Sequence, residues 1–98
     1  MEGWASGAEW EKVRRAFFAD GQLLKLPVKQ GKRLLVLAFF AERFAPGQEY
    51  AEAQVNARVL ECFEDYCVIR RELVDWGFMA REDGVYRRLR PDGWLPER

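Results

Sequence analysis

Apolar positions along the 98-residue chain fall into four helical stretches and one short alternating run. Between Glu9 and Ala19, Trp10, Val13 and Phe17 recur at i, i+3 and i+7, the single stripe of an amphipathic helix. Asp20-Gly21 stops that helix, because glycine takes the left-handed conformation at a helix end. Gln22 to Leu26 reads as a short extended run closed by Pro27, which disfavours helix just before it. It is expected to add an edge strand beside a later hairpin. From Lys29 to Phe44, Leu34, Leu37, Ala38, Ala41 and Phe44 share one face, yet Leu35, Val36, Phe39 and Phe40 cover much of the rest. A helix that is apolar nearly all round is buried on more than one side. Two readings follow: a central helix packed by its neighbours on both flanks, or a dimer or docking surface made by Val36, Phe39 and Phe40. Ala45-Pro46-Gly47 ends the segment.

The second half begins with Gln48 to Tyr50, which can form a short strand. Glu52 to Phe63 is a helix with Val55, Val59 and Phe63 on its inner face. Asn56 lies beside that face, and a half-buried amide needs partners, here expected in neighbouring loop backbone. Asp65 is placed to cap the next helix, Tyr66 to Trp76, which turns Tyr66, Ile69, Leu73 and Trp76 inward. Gly77 ends it. Phe78 to Arg81 and Val85 to Arg88 are β-compatible, and Asp83-Gly84 between them signals a hairpin. This order predicts an α+β fold that is winged-helix-like, a helix-turn-helix plus a β-hairpin wing, with additional N-terminal helices. The chain divides into a leader (1–8), one domain (9–90) and a C-terminal tail (91–98) whose Trp94 and Leu95 are expected to fold back on the core.

Composition narrows the function. With 16 basic and 16 acidic residues the net charge is zero, whereas a freestanding nucleic-acid binder usually carries a basic excess. No apolar run approaches the ~18 residues of a membrane span, and no basic start with an apolar run behind it marks a secretory signal; a cytoplasmic protein is expected. Histidine and threonine are absent, and Ser6 is the one serine. Ser-His-Asp, Cys-His and histidine-ligated metal chemistry therefore lack their residue types. Cys62 and Cys67 are too few for a disulfide framework or a zinc site and read as structural buried thiols. The expectation is a non-enzymatic domain with no cofactor.

The runs Tyr50 to Asn56 (Y-A-E-A-Q-V-N), Ile69 to Asp75 (I-R-R-E-L-V-D) and Asp83 to Arg88 (D-G-V-Y-R-R), with Asp65, Gly77 and Arg81 between them, resemble the prokaryotic "domain of unknown function 2087" family. Asp20 to Pro27 and the helix at 29–44 also look like that family's first half, so the resemblance covers about residues 17–88. It implies a bacterial, regulatory setting, because such domains occur alone and attached to transcription regulators. It implies no catalytic residues. One departure is Ala51, where the family commonly carries a hydroxyl residue followed three later by an acid. Ala51 with Gln54 is not expected to form the reciprocal capping box.

The partner surface can be read in two ways. As a DNA-binding domain, the chain would present the helix at 66–76 and the wing. That helix, with Ile69, Leu73 and Trp76 inward, shows Glu64, Val68, Arg71, Glu72 and Asp75 outward, a poor surface for phosphates. Arg70 sits at its flank, either in a salt bridge or on a base. On the second hairpin strand, Val85 and Leu89 inward would place Tyr86, Arg88 and Arg90 outward, an aromatic between arginines suited to phosphates or a stacked base. Seven basic against eight acidic residues between Tyr50 and Arg90 keep such binding weak. The DNA set is thus Arg70, Arg71, Tyr86, Arg88 and Arg90. The alternative is a protein-interaction or dimerisation module without nucleic acid, its partner a transcription regulator or a second copy.

Overall fold

The computed structural model describes residues 7–89. The first helix, α1 (Gly7–Phe17), ends two residues before the Asp-Gly pair and runs into strand β1 (Phe18–Ala19). Strand β2 (Gln22–Leu23) returns antiparallel beside it, with Ala19 opposite Gln22. Asp20 and Gly21 both have positive φ, 52° and 77°, the requirement of a two-residue type I′ hairpin turn. Asp-Gly here makes a hairpin instead of merely stopping a helix. Strand β2 consequently pairs with β1 and not with the later sheet. It is pinned elsewhere as well: Leu23 N–H donates to the Cys62 carbonyl, and Gln22 Nε2 to the Glu61 carbonyl, both at 2.7 Å.

Helix α2 (Gln30–Ala41) carries the centre of the core. Val36, Leu37, Ala38, Phe40 and Ala41 have no exposed surface. Helix α1 covers one flank, where Phe39 packs against Trp10 and Phe18 with ring centroids 6.0 and 4.8 Å away. The other flank lies against α4 (Tyr66–Asp75). Full burial of Val36 and Phe40 removes them from any surface of this chain, and the flanked-helix reading holds. Phe39 is half-buried at the edge.

Strand β3 (Glu49–Ala51) leads directly into α3 (Glu52–Leu60), and α4 follows after a short turn. Gln54 supplies half of a capping box: its Oε1 accepts the Ala51 N–H at 2.7 Å. The alanine has no oxygen with which to return the bond. Asp65 occupies the position before α4, but its side chain makes no cap bond. A Schellman motif ends α4: Phe78 N–H donates to the Leu73 carbonyl at 2.8 Å, Gly77 N–H to that of Val74 at 3.1 Å, and Gly77 has φ 83°. Buried Phe78 then aims the chain into strands β4 (Met79–Glu82) and β5 (Val85–Arg88), joined by a second type I′ turn at Asp83 and Gly84, φ 53° and 78°. The sheet order is β3-β5-β4, all antiparallel, with Tyr50 opposite Tyr86 and Arg81 opposite Tyr86 on the other side.

Three burial assignments at α4 change. Trp76 lies beyond the last turn of α4 and is 44 % exposed. Glu72, expected outside, is drawn in by Arg33: Nε and Nη2 of Arg33 donate to the two carboxylate oxygens at 2.7 and 2.5 Å, and Nη1 to the Pro27 carbonyl at 2.8 Å. Cys62 is buried, as expected, but Cys67 is exposed, because the first turn of α4 faces solvent there. The domain is therefore α+β, with four helices and two small antiparallel sheets among the described residues. No helix among them is long and apolar enough to cross a membrane. Trp94 and Leu95 lie outside the described residues.

Candidate functional site

Strand alternation decides which side chains of the hairpin face inward, and β5 takes the face opposite to the one its sequence suggests. Tyr86, opposite Tyr50, is 3 % exposed, whereas Arg87 points to solvent and Val85 is half-exposed. A tyrosine ring offers more apolar surface than a valine, and β3 supplies a second tyrosine beside it. Arg88 shares the Tyr86 face. It is half-buried and donates through Nη1 to the Phe44 carbonyl at 2.6 Å, and desolvation holds its pKa below the usual arginine range. Arg88 and Tyr86 thus serve the core and do not form an outward phosphate-binding row. Arg90 lies outside the described residues.

The Tyr86 hydroxyl reaches the inner end of a groove of about 400 Å³ between α4, the hairpin and the start of α3. At its floor the Tyr86 hydroxyl donates to Glu52 Oε1 at 3.1 Å. Burial, then the bond to ionised Glu52, pushes the phenol above its ordinary pKa. Arg70 Nη1 lies 3.7 Å from Glu52 Oε2 and Arg81 Nη2 lies 4.0 Å from Oε1. The Arg81 guanidinium also sits 5.9 Å from the Tyr86 ring centroid, within the range of a cation–π contact. Arg70 is held further by Asn56, whose Oδ1 accepts from Nη1 at 2.6 Å. The Asn56 amide therefore fixes a side chain instead of loop backbone. Arg71, Cys67 and Asp75 complete the exposed wall on α4.

Of the residues selected from sequence, Arg70, Arg71 and Tyr86 converge on this groove, and Arg88 is directed elsewhere. Glu52, Cys67, Val74, Asp75 and Arg81 were missed as members, as was Asn56 as the partner that holds Arg70. Glu52 and Asn56, four apart at the start of α3, share a helix face directed at α4, a signal that could have paired them with Arg70. Another cleft, of about 350 Å³, runs between α1 and the start of α2 beside Lys12, Lys32 and Leu35; it gathers none of those residues. In chemical terms the α4–hairpin groove holds and orients charge: two guanidiniums and one phenol converge on the Glu52 carboxylate, with a third guanidinium, Arg71, and a second carboxylate, Asp75, on the α4 wall.

A family model described as "Uncharacterized protein conserved in bacteria (DUF2087)" matches residues 22–88. The match runs from β2 to the last residue of β5, so it contains the whole groove and excludes α1. No curated protein and no solved structure matches the chain.

Proposed function

The chain belongs to the DUF2087 family of uncharacterized bacterial proteins, and from that premise we propose that it is a non-enzymatic interaction domain of winged-helix type that docks a protein partner through the groove between α4 and the β4–β5 hairpin. The order α3, turn, α4, hairpin, with β3 added beside β5, supports the winged-helix arrangement. Missing histidine and threonine, with serine confined to Ser6, support a role without nucleophilic or histidine chemistry. A transcription regulator is the partner that the resemblance to regulator-attached domains favours.

One observation carries the choice of protein over DNA. The surface that a winged helix would turn toward a duplex is exposed and acidic: Glu64 and Asp65 before α4, Asp75 at its end, and Glu82 and Asp83 at the hairpin tip. Binding along phosphates needs several unopposed Lys or Arg contacts. Here Arg70 is bonded to Asn56 and Arg88 to the Phe44 carbonyl, and the exposed Arg71, Arg81 and Arg87 are outnumbered by those five acids. A titration of labelled duplex and single-stranded DNA into the purified protein at about 50 mM salt is the test. Saturable binding tighter than roughly 10⁻⁴ M, the weak end of ordinary non-specific affinity, is not expected. Tighter binding that falls steeply with salt and is reduced by Arg71→Ala or Arg81→Ala would return the domain to the DNA-binding class.

A further inference from the structure

We propose that the α4–hairpin groove is a receptor for a single carboxylate on a partner protein segment, and that Glu52 is its built-in place-holder; this rests on the reading of the domain as an interaction module. Glu52 is the first residue of α3, where unpaired backbone N–H groups and the helix dipole favour negative charge. Its carboxylate faces the Tyr86 hydroxyl, Arg70 and Arg81. The two arginine distances, 3.7 and 4.0 Å, exceed the roughly 2.7–2.9 Å of a charge-assisted hydrogen bond. Glu52 therefore neutralises these guanidiniums only in part, and each retains donors of its five N–H groups. Arg81 is 55 % exposed and Arg71 is exposed on the facing wall. A carboxylate entering between them can accept from both while Glu52 stays on Tyr86.

Charge around the groove sets the ligand class. Asp75 stands exposed on the α4 wall of the groove itself, and Glu82 and Asp83 stand exposed at the hairpin tip. Three lining guanidiniums (Arg70, Arg71 and Arg81) against two lining carboxylates (Glu52 and Asp75) leave the groove one positive charge, which matches one carboxylate flanked by uncharged residues, whereas the further charges of a polyanion meet Asp75, Glu82 and Asp83. Half-buried Val74 gives the α4 wall apolar surface for a side chain beside that carboxylate, so a peptide segment gains contacts that a bare anion does not.

The test is a titration of the full chain followed through the arginine Nε–Hε NMR resonances. The probes are an acetylated, amidated pentapeptide with one central glutamate among alanine and leucine, its glutamine counterpart, and acetate. The glutamate peptide is expected to shift Arg71 and Arg81 saturably. The glutamine peptide and acetate are each expected to bind at least about tenfold more weakly. Glu52→Gln keeps an acceptor for Tyr86 and removes the internal charge, so it should tighten the glutamate peptide about three- to tenfold. Arg71→Ala with Arg81→Ala should abolish the shifts elsewhere in the groove with the thermal midpoint unchanged. Equal affinity for the glutamine peptide, acetate reproducing the full affinity, or no change in Glu52→Gln would each overturn the proposal. Absence of any shift up to roughly 10 mM peptide, with no oligonucleotide binding in the preceding titration, overturns the carboxylate site and leaves the interaction module standing. Oligonucleotide binding there overturns the module reading itself.

Discussion

Replacing Glu72 by glutamine tests the strongest polar link between the two halves of the domain. Arg33 holds the Glu72 carboxylate through two parallel hydrogen bonds and the Pro27 carbonyl through a third, so this one guanidinium joins α2, the loop before it and α4. The two side chains are 25 % and 13 % exposed. Exposed pairs contribute up to about 1 kcal/mol, and loss of one partner from a buried pair costs about 3–5 kcal/mol. The intermediate burial places Glu72→Gln at roughly 1–3 kcal/mol of destabilisation at neutral pH, with Arg33 left short of a counter-charge. In a chain of this length that is a fall in Tm of about 5–20 °C. The hydrogen bonds from Arg33 hold the Glu72 carboxyl below its ordinary pKa in the folded protein. A folded-state pKa below the unfolded value means that the stabilisation is complete above the ordinary carboxylate range. It is lost as pH falls through the folded value. Urea unfolding of parent and variant should therefore differ at pH 7 and converge in acid, below the ordinary carboxylate range, as Glu72 takes up its proton in the folded protein. A difference under about 0.3 kcal/mol at neutral pH, or one that persists unchanged in acid, would show that the pair does not hold α4 in place. A double-mutant cycle with Arg33→Met separates the coupling from the loss of arginine packing.

Two further outcomes follow from burial. Leu73→Ala should destabilise by about 2–5 kcal/mol, because Leu73 is fully buried at the centre of α4; an unchanged unfolding midpoint would place that face outside. A thiol reagent should titrate Cys67 at once in the folded protein and Cys62 only at the rate of unfolding; simultaneous reaction of both would contradict the burial of Cys62.

Helices were legible in the sequence wherever a stripe was unambiguous. Trp10 and Val13, Val55 and Val59, Ile69 and Leu73 all lie inward. The stripe misled at Trp76, since helical spacing has no meaning past the last turn, and Gly77 had already marked that end. Asp20-Gly21 and Asp83-Gly84 are the same dipeptide making the same turn. Only the second was recognised as a hairpin, because it alone stood between two obvious alternating runs, whereas β1 and β2 have two residues each. The hairpin face was ambiguous for a physical reason. Val85 with Leu89 and Tyr86 with Arg88 both make an amphipathic row, and the row that wins is set by Tyr50, a residue 36 positions away. The groove was half legible on the same account: Arg70, Arg71 and Tyr86 stood out by type, while Glu52, which organises them, resembles any solvated acid at a helix start.

The ties that close the domain span long stretches of chain, and this bears on its synthesis. Arg33 and Glu72 are 39 residues apart, as are Gln22 and Glu61. At about 5–20 residues per second of translation, roughly 2–8 s separate the appearance of each first partner from its second. Within that interval α2, the most apolar helix, is completed at Ala41, when α1 is the one helix of the described residues already made; α3 follows at Leu60, still ahead of α4. The flank destined for α4 waits uncovered until that helix is made. On the ribosome, α1 is thus a temporary shield as well as a finished layer. A nascent chain halted before α4 is the form of this protein most exposed to chaperones and to self-association.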